Sequence, residues 1–305
     1  MSGAADRRFQ LVGALCAVAG AMLFAAKGIF AKFAWRHGVG FEALVIVRAL
    51  LAAPLFWAFT AAREPPGAIR ATPPQAIASA AFAGIICYYG GALVDFYALT
   101  LIDASVERVL LFSYPAMVVA ISALLQRRLP SARVLGVVAL TWAGIFLAVG
   151  GFDASVFHAN LGGALCVLLA ALSYAIYFLL GERWTRQIGS SRYTLCAMSG
   201  AAAALAVHGL VRGPRLGLPA IDGVGWTLLA LLAVFCMFVP ALLQAEGVRR
   251  IGAQRSALVS TAGPPTTIAL AWLFFGERMS PLQLLGVALI VGGIFVLDVA
   301  VRRRR

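Results

Sequence analysis

The sequence predicts an all-α integral membrane protein with ten transmembrane helices, arranged as two five-helix inverted repeats. Three observations support this prediction. The 305 residues are 62% hydrophobic and only 12% charged, and the mean hydropathy is +0.92, which is more apolar surface than a soluble domain buries. The chain contains ten apolar stretches of about 20 residues, the length that spans a bilayer. Short sequence matches also recur about 150 residues apart, at the spacing expected of a duplicated five-helix unit.

The formal net charge of +13 does not indicate a nucleic-acid partner. The basic residues are scattered between apolar stretches, as they are in membrane proteins whose loop charges set the orientation. The five cysteines lie inside apolar runs, and none forms a C-x-x-C pair. They therefore predict neither a disulfide nor a metal site, and the sequence predicts no cofactor.

Ten predicted spans follow one another with short links along most of the chain. In order, they are Leu11–Ala34, Phe41–Ala61, Ala76–Thr100, Ala104–Leu125, Ala132–Gly150, Leu161–Leu180, Tyr193–Val211, Val224–Ala245, Ser256–Phe275 and Leu282–Val301. The two longest links are rich in Pro and Gly, and no soluble domain is predicted between any two spans.

The orientation follows from the distribution of Lys and Arg. If the N-terminus is cytoplasmic, 17 basic residues lie in inner segments: Arg7, Arg8, Arg63, Arg70, Arg127, Arg128, Arg133, Arg183, Arg186, Arg192, Arg249, Arg250, Arg255 and Arg302 to Arg305. Six lie in outer segments: Lys32, Arg36, Arg108, Arg212, Arg215 and Arg278. This bias predicts that both termini are cytoplasmic, in a multi-pass protein of a cell membrane, most simply the bacterial inner membrane.

The internal repeat supports the inverted arrangement. Gly13-Ala14-Leu15-Cys16 recurs as Gly163-Ala164-Leu165-Cys166, and Leu135-Gly136-Val137 recurs as Leu285-Gly286-Val287. The repeats are predicted to cover residues 9–150 and 160–301. Because each repeat holds an odd number of spans, the second must enter the membrane from the opposite side, as in many secondary transporters.

At this level the chain resembles the EamA-type transporters of the drug/metabolite transporter superfamily. The residues that carry the resemblance are Arg48, Tyr97-Ala98-Leu99 before Ala104-Ser105, Tyr114-Pro115, Pro264-Pro265, Gly276-Glu277-Arg278 and the closing Leu285-Gly286 to Gly293 helix. One departure is Gln126-Arg127-Arg128, where the family usually has a Gly-Glu-Arg-like end. The resemblance implies export or exchange of small metabolites such as amino acids.

Ionisable and aromatic residues inside the predicted spans are the candidate site. Charged side chains are costly in a membrane and commonly mark a transport pathway. The candidates for substrate binding or translocation are Lys27, Arg48, Tyr88, Asp95, Glu107, Tyr114, Tyr177 and Gln244. Two interpretations of the four charged residues stay open: a closed set of ion pairs that fixes helix packing, or a pathway in which substrate or a proton competes for one charge. Glu246 is predicted to pair with Arg249 or Arg250 near the inner end of its helix.

Pro115 and Pro264 are predicted gate hinges, because each removes a helical hydrogen bond and the two occupy related positions in the repeats. The sequence contains no H-E-x-x-H, G-x-S-x-G or nucleotide-binding loop, so an enzyme is not predicted. The favoured function is a secondary transporter with a small-molecule substrate, surrounding lipid and possible proton coupling, present as a monomer or homodimer. A lipid flippase or a non-transporting membrane scaffold is the alternative.

Overall fold

The computed structural model describes residues 2–125, 132–149, 151–260 and 263–302, and within these ranges the chain is helical without a β-strand. The helices are α1 (Ser2–Ala25), α2 (Lys27–Trp35), α3 (Phe41–Arg63), α4 (Pro74–Gly84), α5 (Ala92–Ala98), α6 (Ala104–Leu111), α7 (Tyr114–Leu125), α8 (Ala132–Val149), α9 (Ala154–Ile188), α10 (Ser190–Arg212), α11 (Gly223–Ala233), α12 (Val239–Ile251), α13 (Ala253–Val259), α14 (Gly263–Phe275) and α15 (Pro281–Arg302). Two π-helical segments, Ile85–Gly91 and Val234–Phe238, join α4 to α5 and α11 to α12. Two short 3₁₀ helices, Gly213–Leu216 and Leu218–Ala220, precede α11.

Helical structure falls in each of the ten predicted apolar stretches. Among the described residues, seven helical segments are long and apolar enough to cross a membrane: Arg8–Trp35, Phe41–Arg63, Pro74–Ala98, Ala104–Leu125, Ala154–Ile188, Ser190–Leu216 and Gly223–Ile251. The all-helical membrane class is therefore confirmed. The count of ten spans and their division into inverted repeats stay predictions.

Several helix boundaries differ from those predicted by hydropathy. The α9 helix has 35 residues and runs from Ala154 to Ile188, well past both ends of the predicted span. At 1.5 Å per residue it is about 50 Å long, which exceeds the roughly 30 Å hydrocarbon core. Hydropathy marks only the apolar middle of this helix, because its last turns carry charged residues such as Glu182 and Arg186.

The first and fourth predicted spans are each interrupted by a short break in the helix. Ala26 separates α1 from α2, and Phe112–Ser113 separates α6 from α7. Pro115 has no N–H to donate to the Leu111 carbonyl, which explains why the helix stops there. Such interruptions are tolerated at membrane depth only where other groups satisfy the freed backbone.

Helices of the N-terminal and C-terminal parts of the chain pack directly against each other, with glycine at the closest crossings. The α4 helix crosses α10 so closely that a Cβ on Gly84 would lie 1.8 Å from the Ala197 carbonyl oxygen. The α8 helix crosses α15 in the same way, with a Cβ on Gly144 placed 2.7 Å from the Gly286 carbonyl oxygen. Small residues allow helix backbones to approach closely in lipid, where burial of apolar surface does not drive association.

Candidate functional site

A buried ionic cluster of Lys27, Asp95 and Glu107 joins three helices. Lys27 opens α2 directly after the break at Ala26, Asp95 lies in α5, and Glu107 lies in α6. The Lys27 ammonium donates a hydrogen bond to the Asp95 carboxylate, and it lies 3.2 Å from Glu107 Oε1 in an ion-pair contact. All three residues are 1% exposed. Two carboxylates thus share one ammonium, and the cluster carries one net negative charge when all three groups are ionised.

Arg48 lies close to this cluster but does not join it. Its guanidinium carbon is 4.4 Å from the centre of the Phe96 ring, and the Lys27 nitrogen is 5.4 Å from the centre of the same ring. The Arg48 Nε has no hydrogen-bond partner, and no carboxylate in the described ranges lies within ion-pair distance of the side chain. The four predicted charged residues are therefore a three-member cluster and a separate arginine that packs on an aromatic ring.

Arg108 is also buried, although the count of basic residues placed it in an outer segment and did not treat it as a site residue. It is 4% exposed and donates a hydrogen bond of 3.0 Å to the Ala21 carbonyl oxygen in α1. Its guanidinium carbon lies 5.3 Å from the centre of the Phe112 ring. The count used only the position of Arg108 near the predicted end of a span, whereas every residue of α6 is buried by neighbouring helices.

An aromatic cavity lies between the two parts of the chain, next to Arg108. Its lining is Ala21, Phe24, Tyr88, Arg108, Leu111, Phe112, Tyr114, Tyr174, Phe178 and Gln244. The Tyr114 ring lies 6.1 Å from that of Tyr174 and 5.3 Å from that of Phe178, measured between ring centres. The ring centre of Tyr88 lies 6.5 Å from that of Tyr174. The free volume of about 20 Å³ is room for a single water rather than a metabolite.

The remaining predicted polar residues are placed around this cavity in different ways. Gln244 lines it and donates from Nε2 to the Ala17 carbonyl oxygen at 3.2 Å. Tyr177 does not line the cavity, but its ring centre lies 5.2 Å from that of Tyr88, which does. The Tyr177 carbonyl accepts a hydrogen bond from the Tyr193 hydroxyl at 3.2 Å. The structure thus brings Tyr88, Tyr114 and Gln244 to one cavity and Tyr177 behind it.

The two predicted hinge prolines both lie at the start of a helix. Pro115 is the second residue of α7, and Pro264 is the second residue of α14. Two side chains satisfy backbone carbonyls next to the break at Ala26 in the first span. Thr267 of α14 donates to the Ala25 carbonyl at 2.9 Å, and Arg108 donates to the Ala21 carbonyl. These bonds tie the interrupted region of α1 and α2 to both parts of the chain.

A second polar contact between the two parts of the chain is the Glu277 clamp, formed by Glu277, Lys32 and Ser105. One Glu277 oxygen accepts from the Lys32 ammonium at 2.8 Å. The other accepts from the Ser105 hydroxyl at 2.8 Å and from the Ser105 backbone N–H at 3.1 Å, at the first turn of α6. Burial opposes ionisation of Glu277, but the bonds from Lys32 and Ser105 outweigh it and keep the pKa of the carboxyl below its usual value. A cavity of about 660 Å³ lies against this clamp, with Lys32, Asp103 and Glu277 in its lining.

At the end of α12, Glu246 contacts both arginines that follow it in the helix. It pairs with Arg249 and lies 2.5 Å from Arg250 Nε, and it accepts a bond of 2.5 Å from the Ser190 hydroxyl. This agrees with the predicted pairing. Within the ranges that the structure describes, no group of His, Cys, Asp or Glu side chains is arranged to hold a metal ion.

Sequence reasoning missed Arg108, the Glu277 clamp and most of the cavity wall. A charged residue inside the run Val106 to Phe112, just before Tyr114-Pro115, was the available signal for Arg108. For Glu277 the motif Gly276-Glu277-Arg278 was visible, but its partner Ser105 is 172 positions away. Of the aromatic wall, Tyr88 and Tyr114 were predicted, whereas Phe24, Phe112 and Phe178 look like ordinary apolar residues of a span.

Comparisons with known proteins identify the family. The model of the EamA-like transporter family matches residues 11–150 and again residues 161–298. The uncharacterized transporter YcbK of Bacillus subtilis (strain 168) is 35% identical over 305 residues, covering 99% of this chain and 94% of the relative. An uncharacterized transporter of Archaeoglobus fulgidus is 25% identical over 194 residues, which cover 64% of this chain and 67% of the relative.

One solved crystal structure shares the fold, with a TM-score of 0.70 and 19% identity over 95% of this chain and 98% of the other. The family model covers both parts of the chain that contribute to the aromatic cavity, and YcbK aligns along nearly the whole length. The chain is therefore a membrane protein that belongs to the EamA-like transporter family.

Proposed function

We propose that the protein is a secondary transporter that exports or exchanges small metabolites such as amino acids. In this proposal residues 9–150 and 160–301 are five-helix repeats of opposite orientation, which rock against each other and open the aromatic cavity to each side in turn. The observation that carries the proposal is the cavity itself, because its walls come from both parts of the chain and buried charges lie next to it. Buried ionisable residues in membrane helices commonly mark the pathway of a transported solute.

The Glu277 clamp serves as the outer gate in this mechanism. With both termini in the cytoplasm, Glu277 and Ser105 lie on the outer side of the membrane. Glu277 contacts α6 and Lys32 from the other repeat, so these bonds must break when the outer side opens. The outer cavity next to the clamp is the vestibule through which the solute leaves. Pro115 and Pro264 are the hinges, because helices restart at both and cannot transmit bending rigidly.

The ionic cluster is the site of proton coupling. Its two carboxylates share one ammonium, so binding one proton to Asp95 or Glu107 removes the net negative charge without breaking the remaining pair. Acidic residues in transporter helices form such proton relays. Lys27 follows the break in the first span, which places the cluster at a joint that moves when the repeats rock.

The proposal includes the setting of the molecule. It is a multi-pass protein of the bacterial inner membrane, surrounded by lipid, and it works as a monomer or homodimer without cofactor, metal or nucleic acid. It carries out no covalent chemistry. The assignment of the chain to a transporter family supports the membrane location and a small-molecule substrate.

The experiment that tests the proposal is solute flux in proteoliposomes. Liposomes with and without the purified protein are loaded with a low-molecular-weight extract of bacterial cells, and the released compounds are measured by mass spectrometry. We expect one or a few small metabolites to leave faster than from protein-free liposomes, with a rate that depends on the proton gradient. Absence of any protein-dependent release would contradict transport. Movement of a fluorescent lipid between leaflets in the same vesicles would point instead to a flippase.

A further inference from the structure

The buried charges of the described residues do not balance. Five charged side chains are at most 4% exposed: three cations and two carboxylates, namely Lys27, Arg48, Arg108, Asp95 and Glu107. With all five ionised, this buried layer carries one net positive charge. An uncompensated charge in a membrane interior is costly, so a transporter is expected to keep one only where an ion or substrate compensates it.

Arg108 is the buried cation that faces the aromatic cavity. Lys27 is already paired with the two carboxylates of the ionic cluster. Arg48 packs on Phe96 and does not line the cavity. Arg108 lines the cavity, its Nε has no hydrogen-bond partner, and no carboxylate in the described ranges lies within ion-pair distance of it. Its neighbour Gly263 in α14 gives the guanidinium room, because a Cβ there would lie 2.9 Å from Nη2.

We infer that Arg108 binds the carboxylate of the transported solute, which is a small organic anion with an apolar or aromatic body. This inference rests on the proposed function and names its substrate class. A guanidinium binds a carboxylate through two parallel N–H···O bonds. Arg108 belongs to the cavity lining, and its buried Nε–H has no hydrogen-bond partner. Tyr88, Tyr114, Tyr174 and Phe178 supply rings for the body of the solute. The solute's negative charge compensates the excess positive charge of the buried layer.

The cavity must enlarge before it can hold a solute. About 20 Å³ admits a water but not a metabolite, so the rings must separate before the solute binds. Tyr114 and Arg108 belong to one repeat, whereas Tyr174 and Phe178 belong to the other. Rocking of the repeats therefore enlarges the cavity and exposes the Arg108 guanidinium in the same movement.

The test is a binding measurement with matched probes on the full-length protein, purified in detergent. The probes are 3-phenylpropanoate, 3-phenylpropanamide and 3-phenylpropylamine, together with hexanoate, hexanamide and hexylamine, each titrated while thermal unfolding is followed. We expect both carboxylates to bind at least tenfold more tightly than the amide and amine of the same skeleton. R108Q should weaken carboxylate binding by roughly 10- to 100-fold, the range expected for a lost hydrogen bond to a charged group, and should leave amide binding unchanged.

Two further variants keep the inference testable if R108Q folds poorly. R108K retains the charge but loses the planar pair of donors, and it should bind the carboxylates at an intermediate strength. R63Q is the matched control, because Arg63 is an exposed arginine that packs on Phe59, away from the cavity. It should bind all six probes like the unaltered protein.

The outcomes separate this inference from the proposed function. Equal binding of carboxylate, amide and amine, no binding of either carboxylate, or unchanged carboxylate affinity in R108Q and R108K would each overturn the role of Arg108. Protein-dependent flux of amines or neutral solutes in the proteoliposome assay would leave transport intact and overturn only the substrate class. A protein that moves no solute at all would overturn both.

Discussion

Replacing Lys27 by Gln should destabilise the protein more than replacing Asp95 by Asn. Lys27→Gln leaves two buried carboxylates without their shared ammonium, and breaking a buried pair in this way costs about 3–5 kcal/mol. Asp95→Asn leaves Glu107 at 3.2 Å from the Lys27 nitrogen, so the loss is nearer to one hydrogen bond with a charged group, about 1.5–3 kcal/mol. The difference arises because removing the lysine leaves two carboxylates without a cation, whereas removing the Asp95 charge leaves the lysine paired with Glu107.

The double change Lys27→Gln with Asp95→Asn separates a structural cluster from a functional one. It leaves only Glu107, which becomes neutral by binding a proton, so most of the lost stability should return. Transport should not return, because the cluster can no longer exchange its proton between two carboxylates and a lysine. Thermal unfolding of the detergent-purified variants measures the first effect, and flux in proteoliposomes measures the second.

The matched control, Glu182→Gln, removes an exposed ion pair with Arg186 and should cost less than about 1 kcal/mol. A Lys27→Gln protein as stable as the unaltered one would refute the electrostatic argument. A double variant that transports like the unaltered protein would show that the cluster only holds the helices together.

Three further predictions concern packing, acid stability and orientation. Gly84→Ala should lower the unfolding temperature sharply, because its Cβ would lie 1.8 Å from a backbone oxygen of α10, whereas Gly136→Ala, with nothing within 4 Å, should not. Glu277 has a lowered pKa, so the stability that it supplies is present above the pKa of the unfolded chain and is lost as the pH falls through the folded value. Glu277→Gln should therefore unfold at a lower temperature at pH 7, and this deficit should shrink below about pH 4; an unchanged deficit would contradict the assignment. A periplasm-active reporter fused after Phe152 should be active and one fused after Arg305 silent, and the reverse pattern would overturn the assigned orientation.

Hydropathy and charge predicted the class of the protein but not the breaks within its helices. The apolar stretches are long and the bilayer thickness is fixed, so their approximate positions follow from the sequence alone. The break at Ala26 does not, because Ala26 is a good helix former and the nearest poor one, Gly28, lies inside α2. Side chains from elsewhere, Arg108 and Thr267, satisfy the carbonyls of Ala21 and Ala25 and make the break tolerable.

The sequence predicted which charged residues belong to the candidate site, but it did not predict which residues they contact. Lys27, Asp95 and Glu107 stand out in a sequence because charges are rare in apolar stretches. Their pairing depends on how α2, α5 and α6 rotate against each other, which sequence position does not specify. Arg108 shows the same limit, since counting it as an outer residue ignored the helices that bury it. Local sequence gives the depth of a residue approximately, but tertiary packing decides which cavity it faces.

In the proposed mechanism, one cavity opens alternately to the two sides of the membrane. This alternation is tested most directly by the reactivity of a single cysteine at Phe178, in a protein whose five native cysteines have been replaced. Membrane-impermeant thiol reagents should reach this cysteine from either side. When cysteines at Ser105 and Glu277 are also present and joined by a disulfide, the reagent should reach Phe178→Cys from the cytoplasmic side only, and reduction should restore access from outside. Reaction from the outside through the closed disulfide would contradict the account.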